Sequence, residues 1–471
     1  MSIKNGVWLI ICCIIFSLLT GFAEENANQV AKQAAGLNPP TIEEKTIFEI
    51  PPAAKDLTVS SDGRHVFWKE KKGKKWVIVV NGESGPEFDG IEIDSALNTY
   101  AFSPDGQHFA YCGRRGENSV IILDGKELEK LYPKGFGWGG PVGLTFSADS
   151  QHFAYFAGAW KKFRLIVDGQ EQGPESDIAP PVSKLILSPD GKRWAYWSKV
   201  GKEWAIVADG SLTDDKLDNQ EMFASSISFN PNKRPVFSPD GQHLAYPAKR
   251  MGRILMVLDG KELLPPKIKG QDRVWNVSKP LFSPDSGHFA YITFSTKCGV
   301  IVDGRYGSEF LEFEAIHAGP IFSPDSRHIA YIGESYERGS RFVVQVIDDQ
   351  VTYPTAESKI EANACLYLVF SPDSQRLAYV IRSSKWHLVL DGRQYGPARE
   401  RIASLAFSPE GRFLAYCIER GKKVGMVINE SEGKGYDYLW PDTLAFSADE
   451  KQATYVAQEG NKLFIVTQTV E

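Results

Sequence analysis

The chain has little of the chemistry that metalloproteins need. Only six cysteines occur among its 471 residues, and no two of them form a C-x-x-C pair, so a zinc site is not indicated. Two of the six lie in an apolar N-terminal run, and the others are Cys112, Cys298, Cys365 and Cys417. We expect these four to be buried thiols, with a Cys298–Cys365 disulfide as the alternative.

The sequence also lacks the common catalytic motifs. It contains no G-x-S-x-G elbow, no H-E-x-x-H pair and no phosphate-binding loop of the Walker type. A net charge of −6 gives no reason to expect a nucleic-acid partner. These absences favour a protein that is not an enzyme and that uses neither a cofactor nor a metal ion.

Long apolar runs are absent except at the N-terminus. Lys4 precedes an apolar run from Val7 to Leu19, and the small residues Gly21 and Ala23 stand just before Glu24. This layout predicts a signal peptide over residues 1–23 and a periplasmic or secreted protein without a membrane span after cleavage. The alternative is an uncleaved membrane anchor, since residues 7–23 are at the lower limit of roughly 17 residues for crossing a bilayer.

Residues 24–44 are polar and rich in alanine and glutamine, and we interpret them as a flexible leader. A short strand is predicted over residues 46–50, where Pro51 and Pro52 end it. The remaining chain, residues 45–471, is predicted to form one repeat domain.

What the sequence has in abundance is an internal repeat. Versions of the stretch FSPDGQHFAY, which begins at Phe102, recur about ten times at intervals of 37 to 50 residues. A period near 40 residues is typical of propeller blades. The serine of each copy stands at Ser60, Ser103, Ser147, Ser188, Ser238, Ser283, Ser323, Ser371, Ser408 and Ser447.

One unit predicts a small antiparallel sheet. Pro104, Asp105 and Gly106 are the residues that a tight turn requires, and apolar residues stand on both sides of it. Residues 120–123 predict a third strand, which ends in an Asp-Gly hairpin turn. A fourth, more polar strand is expected next, as at residues 86–91 of the first unit. Four short strands per unit predict an all-β propeller of about ten four-stranded blades.

The pattern F-S-P-D-G-x-x-h-A-Y, with h apolar, resembles the TolB-like and WD-repeat-like β-propeller repeat family from Val59 to the C-terminus. The resemblance implies a propeller and leaves its role open, because such repeats occur in scaffolds, receptors and accessory domains of peptidases. TolB itself carries a separate α/β domain before its propeller, and we expect none here. We also expect no hydrolase domain after the propeller, since only 24 residues follow Ser447.

The chain ends predict how the propeller closes. The last unit stops after its third strand, at residues 463–466, and a spare strand stands near the start at residues 47–50. We expect this spare strand to complete the last blade, because an open ring would leave unpaired sheet edges. A single ring is therefore predicted, with two stacked five-bladed rings as the alternative.

Repeated polar residues are predicted to be structural. A histidine stands five residues after the repeat serine at His65, His108, His152, His243, His288 and His328. Equivalent positions in neighbouring blades lie much too far apart to share one zinc ion, whose Zn–N bonds are about 2.0–2.1 Å long. We therefore predict no metal site at this column.

Residues that break the repeat are the candidate binding residues. Three consecutive units carry Lys184, Arg234 and Lys279 four residues before their serines, on the strand expected to line the channel. This basic arc predicts a site for an anionic glycan or peptide, with ordinary solvated charge as the alternative. Trp138, in the insertion FGWGG, either stacks on a sugar or partner or fills a gap between blades.

The sequence thus predicts an extracytoplasmic, monomeric propeller that acts as a scaffold for a protein or glycan partner in the cell envelope. The alternative is a propeller enzyme, a polysaccharide lyase or glycosidase, with its site in the central channel.

Overall fold

A computed structural model describes residues 40–470 of the chain with short interruptions. The predicted signal peptide and most of the predicted leader lie outside the described residues. Also outside them are residues 61, 92–97, 129–131, 134–140, 160–161, 177–184, 201–202, 213–233, 251, 266–273, 296–297, 307–314, 338–339, 349, 353–363, 383–384 and 400. The described residues form β-strands joined by turns. They include no helix long and apolar enough to cross a membrane.

The strands form ten antiparallel sheets, which are the ten blades of a β-propeller. The first strand of the chain, β1 (Ile42–Glu49), belongs to the last blade. Blade 1 contains β2 (Lys55–Val59), β3 (Val66–Lys72), β4 (Lys75–Val80) and β5 (Glu83–Ser84), and blade 2 contains β6 (Gly90–Ile91), β7 (Tyr100–Phe102), β8 (Phe109–Arg115), β9 (Asn118–Leu123), β10 (Lys126–Glu127) and β11 (Tyr132–Pro133). Blade 3 contains β12 (Val142–Phe146), β13 (Phe153–Ala159), β14 (Lys162–Val167) and β15 (Gln170–Ser176), and blade 4 contains β16 (Ile186–Leu187), β17 (Trp194–Val200), β18 (Glu203–Ala208) and β19 (Ser211–Leu212). Blade 5 contains β20 (Val236–Phe237), β21 (Leu244–Arg250), β22 (Arg253–Leu258) and β23 (Lys261–Leu263).

The second half of the chain repeats this plan. Blade 6 contains β24 (Asn276–Val277), β25 (Leu281–Phe282), β26 (Phe289–Phe294), β27 (Cys298–Val302) and β28 (Arg305–Tyr306), and blade 7 contains β29 (Ala315–Phe322), β30 (Ile329–Glu337), β31 (Ser340–Ile347) and β32 (Gln350–Thr352). Blade 8 contains β33 (Ala364–Phe370), β34 (Leu377–Arg382), β35 (Trp386–Leu390) and β36 (Arg393–Arg399), and blade 9 contains β37 (Arg401–Phe407), β38 (Leu414–Arg420), β39 (Lys423–Ile428) and β40 (Ser431–Tyr436). Blade 10 contains β41 (Tyr438–Phe446), β42 (Gln452–Glu459) and β43 (Lys462–Thr469), joined by β1.

The strand before each repeat serine is the innermost of its blade. The inner strands of adjacent blades approach one another directly, as β29 approaches β33 and β33 approaches β37. Wedge-shaped sectors converge only near their common axis, so these strands line the central channel. The last strand of each blade lies at the rim.

The turn after each inner strand is held by side chains, as its residues predict. In blade 2 the Ser103 hydroxyl donates to Asp105 at 2.5 Å, and the Asp105 carboxylate accepts the Gln107 backbone N–H at 3.0 Å. The Asp105 backbone N–H donates to Ser150 Oγ of blade 3, at 3.1 Å. The same turn therefore closes one hairpin and joins it to the next blade.

The apolar core is divided into ten clusters, one at each junction between neighbouring blades. One cluster joins blades 5 and 6 through residues such as Met256 and Tyr291, so no boundary divides the chain at its midpoint. Another joins blade 10 to blade 1 through Val456 and Trp68. The prediction of a single closed ring is confirmed, and two five-bladed rings do not form.

The alanine that precedes the tyrosine of the repeat motif F-S-P-D-G-x-x-h-A-Y permits this close packing. At eight of the ten units that alanine is at most 1% exposed, since its methyl group faces the adjacent sheet. The tyrosine beside it is also buried, and it packs in the junction cluster. These alanines are Ala110, Ala154, Ala195, Ala245, Ala290, Ala330, Ala378 and Ala415.

The chain ends close the ring as predicted. Strand β1 pairs antiparallel with β43 and becomes the outermost strand of blade 10, opposite Lys462–Thr469. It begins at Ile42, four residues before the predicted start at Thr46, because the ladder continues until Ile42 lies opposite Gln468. The predicted fourth strand of blade 1, residues 86–91, is only partly right: Phe88 forms a bridge with Trp76 of β4, but the fourth strand itself, β5, is Glu83–Ser84, directly after the Asn-Gly turn.

A partly buried contact of Glu44 with blade 9 holds the closing strand of blade 10 in place. The hydroxyl of Tyr436, a fully buried side chain, donates to Glu44 at 2.7 Å, and Lys434 Nζ donates to the same carboxylate at 2.9 Å. The hydrogen bond from Tyr436 lowers the pKa of Glu44 below its ordinary value. The ionised carboxylate is therefore favoured in the closed ring.

We predict that Glu44→Ala destabilises the protein by about 1 kcal/mol at pH 7, because it leaves the buried Tyr436 hydroxyl without its acceptor. A carboxyl whose pKa is lowered on folding stabilises above its unfolded pKa and loses this effect as pH falls through the folded pKa. The difference from wild type should accordingly shrink below pH 4.5, the ordinary value for glutamate. Urea unfolding at several pH values measures it, with the exposed neighbour variant Glu43→Ala as the control. Equal losses in both variants would contradict the assignment.

Candidate binding site in the central channel

Four residues before each repeat serine lies a column of equivalent positions, which in the described part of the chain stand on the channel-lining strands or within two residues of one. At this column the backbone has a positive φ at Asp56, Gly143, Gly319, Tyr367 and Ser404. The pairing of the inner strand with its neighbour also shifts register there, as between Leu366 and Val369. Each of these blades therefore carries a β-bulge that turns a side chain of the inner strand out of the sheet.

The positive φ at this column is not confined to glycine, as Tyr367 shows. Tyr367 is a bulky residue held at φ 57°, a conformation that costs a non-glycine residue energy. Its side chain is 40% exposed although it lies on an inner strand. Because strained backbone positions cluster at ligand sites, Tyr367 is a candidate binding residue.

Arg234 and Lys279 occupy this column in adjacent blades, and the structure brings them close together. Arg234 is half-buried and Lys279 is open to water. Desolvation lowers the pKa of both groups, and the Arg234 charge lowers that of Lys279 further. Side chains that contact water but are partly desolvated by the surrounding protein are expected in a water-filled channel. The predicted third member, Lys184, and the predicted stacking residue, Trp138, lie outside the described residues.

Exposed aromatic side chains accompany the two cations. Among the described residues, five large hydrophobic side chains are exposed, and four of them belong to inner strands or directly precede one. These four are Trp275, Leu366, Tyr367 and Tyr438. Tyr438 also meets Trp440 edge-to-face, with ring centroids 4.6 Å apart. Sequence reasoning did not find Trp275 or Tyr438, since the bulges vary the length of the segment before the repeat serine.

The repeated histidines have a structural role in their own blades. In blades 2, 3, 5, 6 and 7 the histidine Nδ1 lies 2.5–2.8 Å from a carboxylate oxygen of the aspartate that follows the third strand of the blade, which is an Asp-Gly turn in all of them except blade 7. The other oxygen of that aspartate accepts the next backbone N–H, as Asp303 accepts that of Phe289 at 2.9 Å. The pair thereby ties the two turns at one end of the blade together.

The same column also contacts the following blade. The imidazole rings of His108, His243 and His288 stack on phenylalanines of the next unit. Arg193 replaces histidine in blade 4, where it pairs with Asp209 at 2.9 Å and lies over Phe237. Histidine and arginine are interchangeable here because both are planar donors that pair with aspartate and stack on a ring.

No group of three or more histidine, cysteine, aspartate or glutamate side chains is arranged to hold a metal ion in the described part of the chain. Cys112, Cys298 and Cys417 are thiols, so Cys298 does not form the alternative disulfide. Burial raises the pKa of Cys417 to about 12, which makes it unreactive near neutral pH.

Comparisons with known proteins show only distant likenesses. No family model matches the chain, and no curated protein matches it in sequence. Among solved structures, a eukaryotic initiation factor is 14% identical, with a TM-score of 0.41, over 85% of this chain and 97% of that one. TolB from Acinetobacter baumannii is 12% identical, with a TM-score of 0.24, over 77% and 79%. An oligogalacturonate lyase in complex with manganese is 12% identical, with a TM-score of 0.31, over 71% and 98%.

The likeness of these structures to this chain is too weak to carry a functional argument. The assignment as a propeller depends instead on the ten sheets and ten junctions of the chain itself.

We predict that Asp303→Asn lowers the pKa of His288, which the hydrogen bond to Asp303 raises above 6.5. The variant should fold, because blade 1 already uses this pair: Asn81 Nδ2 lies 2.8 Å from His65 Nδ1. A histidine whose pKa rises on folding stabilises below its unfolded pKa and loses this effect as pH rises through the folded pKa. Asp303→Asn should therefore be less stable than wild type below pH 6.5 and approach it above the native pKa.

An NMR titration of His288 and thermal melts between pH 5 and 8.5 measure these two effects. A stability difference that grows with pH would contradict the predicted coupling.

Proposed function

We propose that the protein is an extracytoplasmic β-propeller scaffold that binds a protein or glycan partner at its central channel. The observation that carries the proposal is the concentration of exposed aromatic side chains, together with Arg234 and Lys279, on the channel-lining strands or directly beside them. Elsewhere, exposed positions of the described residues are mostly polar or small.

The lining supports a ligand with rings or apolar groups and negative charge. Aromatic faces pack on sugar rings and on apolar side chains, and tyrosine and tryptophan are frequent among the hot-spot residues that contribute most of the binding energy. Arginine and lysine pair with carboxylates, which favours uronate-rich glycans or acidic peptides. Because the Arg234 charge disfavours the charged form of Lys279, an anion placed between the two side chains would relieve that repulsion.

The ring itself supports a scaffold role. Ten apolar junctions fix the inner strands to one another, so a ligand meets a preorganised surface. The extracytoplasmic location rests on the N-terminal sequence, in which Lys4 and the apolar run precede the small residues Gly21 and Ala23.

We predict that the double variant Arg234→Glu/Lys279→Glu binds polygalacturonate or poly-glutamate at least tenfold more weakly than wild type, a loss of about 1.4 kcal/mol. Trp275→Ala/Tyr438→Ala should weaken the glycan more than the peptide if sugar rings stack on these side chains. Biolayer interferometry at low and physiological salt measures both effects, because screening should reduce the electrostatic part.

The matched control is Arg253→Glu/Lys261→Glu, which makes the same charge change at exposed positions of blade 5 away from the inner strand. Equal weakening by the control and the channel variant would show that only net charge matters. Unchanged binding in both channel variants would refute the channel as the site.

We also predict that the native protein is recovered from the periplasm or medium with Glu24 as its first residue. Intact-mass measurement and cell fractionation test this, and Ala23→Arg, which removes the small residue at the cleavage point, should leave the precursor uncleaved. A mature chain that retains residues 1–23 would establish the alternative membrane anchor.

A further inference from the structure

The charged residues of the ring are divided between its two faces. Each blade turns from its first to its second strand, and from its third to its fourth, at one end, and from its second to its third strand at the other end. We call the first end the turn face and the second end the hairpin face. Because the blades follow the same strand order, equivalent loops of all blades lie on the same face of the ring.

The turn face is acidic, and the fold explains why. A carboxylate stands two residues after every repeat serine, and an aspartate follows the third strand in blades 2 to 8. These carboxylates hold the turns, as Asp105 does by accepting the Ser103 hydroxyl and the Gln107 backbone N–H. Cations are fewer in the turns after the repeat serines, where they are Arg64, Lys192, Arg193, Arg327, Arg376, Arg412 and Lys451.

The hairpin face is basic, and the fold does not require this. A tight hairpin turn needs a residue that tolerates positive φ, as Gly73 and Gly421 do, but it does not need cations beside that residue. Among the described side chains of these hairpins, the carboxylates are Glu117 and Glu459. The cations are Lys72, Lys74, Lys75, Arg115, Arg250, Arg253, Arg382, Lys385, Arg420, Lys422, Lys423 and Lys462.

Closure of the ring gathers many of these cations in one sector. Blades 9, 10 and 1 are neighbours because their junctions are packed, so the hairpins at residues 420–423 and 72–75 lie on either side of Lys462. Some of the cations pair within their own blade, as Lys75 does with Asp89 at 2.6 Å. Lys74 and Lys422 are exposed and form no ion pair within the described part of the chain. The sector therefore keeps an excess of positive charge.

The turn face of a second ring is complementary to this hairpin face. Both faces are built from equivalent loops around the same ring, so a second copy placed face to face sets exposed carboxylates opposite exposed cations. Two hairpin faces, or two turn faces, would instead repel each other. The net charge of −6 does not oppose the unlike contact, because charges on the two faces that meet dominate at short range.

We propose that copies of this chain associate head to tail, with the hairpin face of one ring on the turn face of the next. Such a contact is heterologous, so each added ring leaves one face of each kind free and the rings form a column. Exposed ion pairs are individually weak and are screened by salt, so association depends on concentration and ionic strength. The monomer expected from the sequence is then the high-salt state. The proposal does not depend on the channel site.

Sedimentation velocity of the purified protein measures this association. We expect reversible association at a protein concentration of about 100 μM in about 20 mM salt, and dissociation to monomers in about 500 mM salt. A monomer under both conditions overturns the proposal. A monomer whose hairpin face instead binds vesicles containing phosphatidylglycerol also overturns it and identifies a membrane as the partner of this face.

Three variants with matched charge changes locate the contact. The first neutralises exposed cations of the hairpin face and should weaken association at least tenfold: Lys72→Gln/Lys74→Gln/Arg420→Gln/Lys422→Gln. The second neutralises exposed carboxylates of the turn face, keeps an acceptor for each turn and should have a similar effect: Asp105→Asn/Asp149→Asn/Asp240→Asn/Asp285→Asn. The control removes as many exposed cations from the turn face and should not weaken association: Arg64→Gln/Lys192→Gln/Arg327→Gln/Lys451→Gln. Equal weakening by the control and the hairpin-face variant overturns the proposal, even if the second variant does not fold.

Mixing the first two variants tests the head-to-tail arrangement. The hairpin-face variant keeps its turn face, and the turn-face variant keeps its hairpin face. An equimolar mixture should therefore form one-to-one dimers at concentrations where each variant alone is monomeric. Because the two remaining faces of such a dimer are both neutralised, it should not extend into a column. A mixture that stays monomeric where the wild type associates overturns the arrangement.

Discussion

Packing between neighbouring blades is the constraint on which the whole structure depends. A four-stranded blade has two apolar faces and no core of its own, so each blade buries its faces against two neighbours. Such a series is stable only if no face remains uncovered. Closing the circle between blade 10 and blade 1 covers the last pair of faces, and β1 supplies the strand that blade 10 lacks.

The demands of this packing explain which residues repeat. Alanine before the tyrosine lets sheets approach, the serine and aspartate of the turn join each hairpin to the next, and histidine or arginine stacks across the junction. Because every junction needs the same contacts, these residues recur around the ring and have no special chemistry. The abundance of histidine and aspartate is therefore a property of the scaffold.

Positions that depart from the repeat are where binding is supported. In the channel, bulges on the inner strands let side chains differ from blade to blade, and aromatic and basic residues appear there. The channel site uses the rigidity of the ring and requires no change in its contacts.

The sequence by itself determined the blade, the period and the closing strand. Turn residues, alternating apolar strands and the missing fourth strand of the last unit are local or countable features, so Ser103–Gly106 and residues 47–50 could be read directly. It also placed Arg234 and Lys279 in one column. Only the tertiary structure decided that the circle is single, that Trp275 and Tyr438 are exposed on inner strands, and that the Tyr111 hydroxyl is left without a partner. These features depend on bulges and on the volumes between sheets. Both arise from contacts between residues far apart in the chain, which produce no repeating pattern in the sequence.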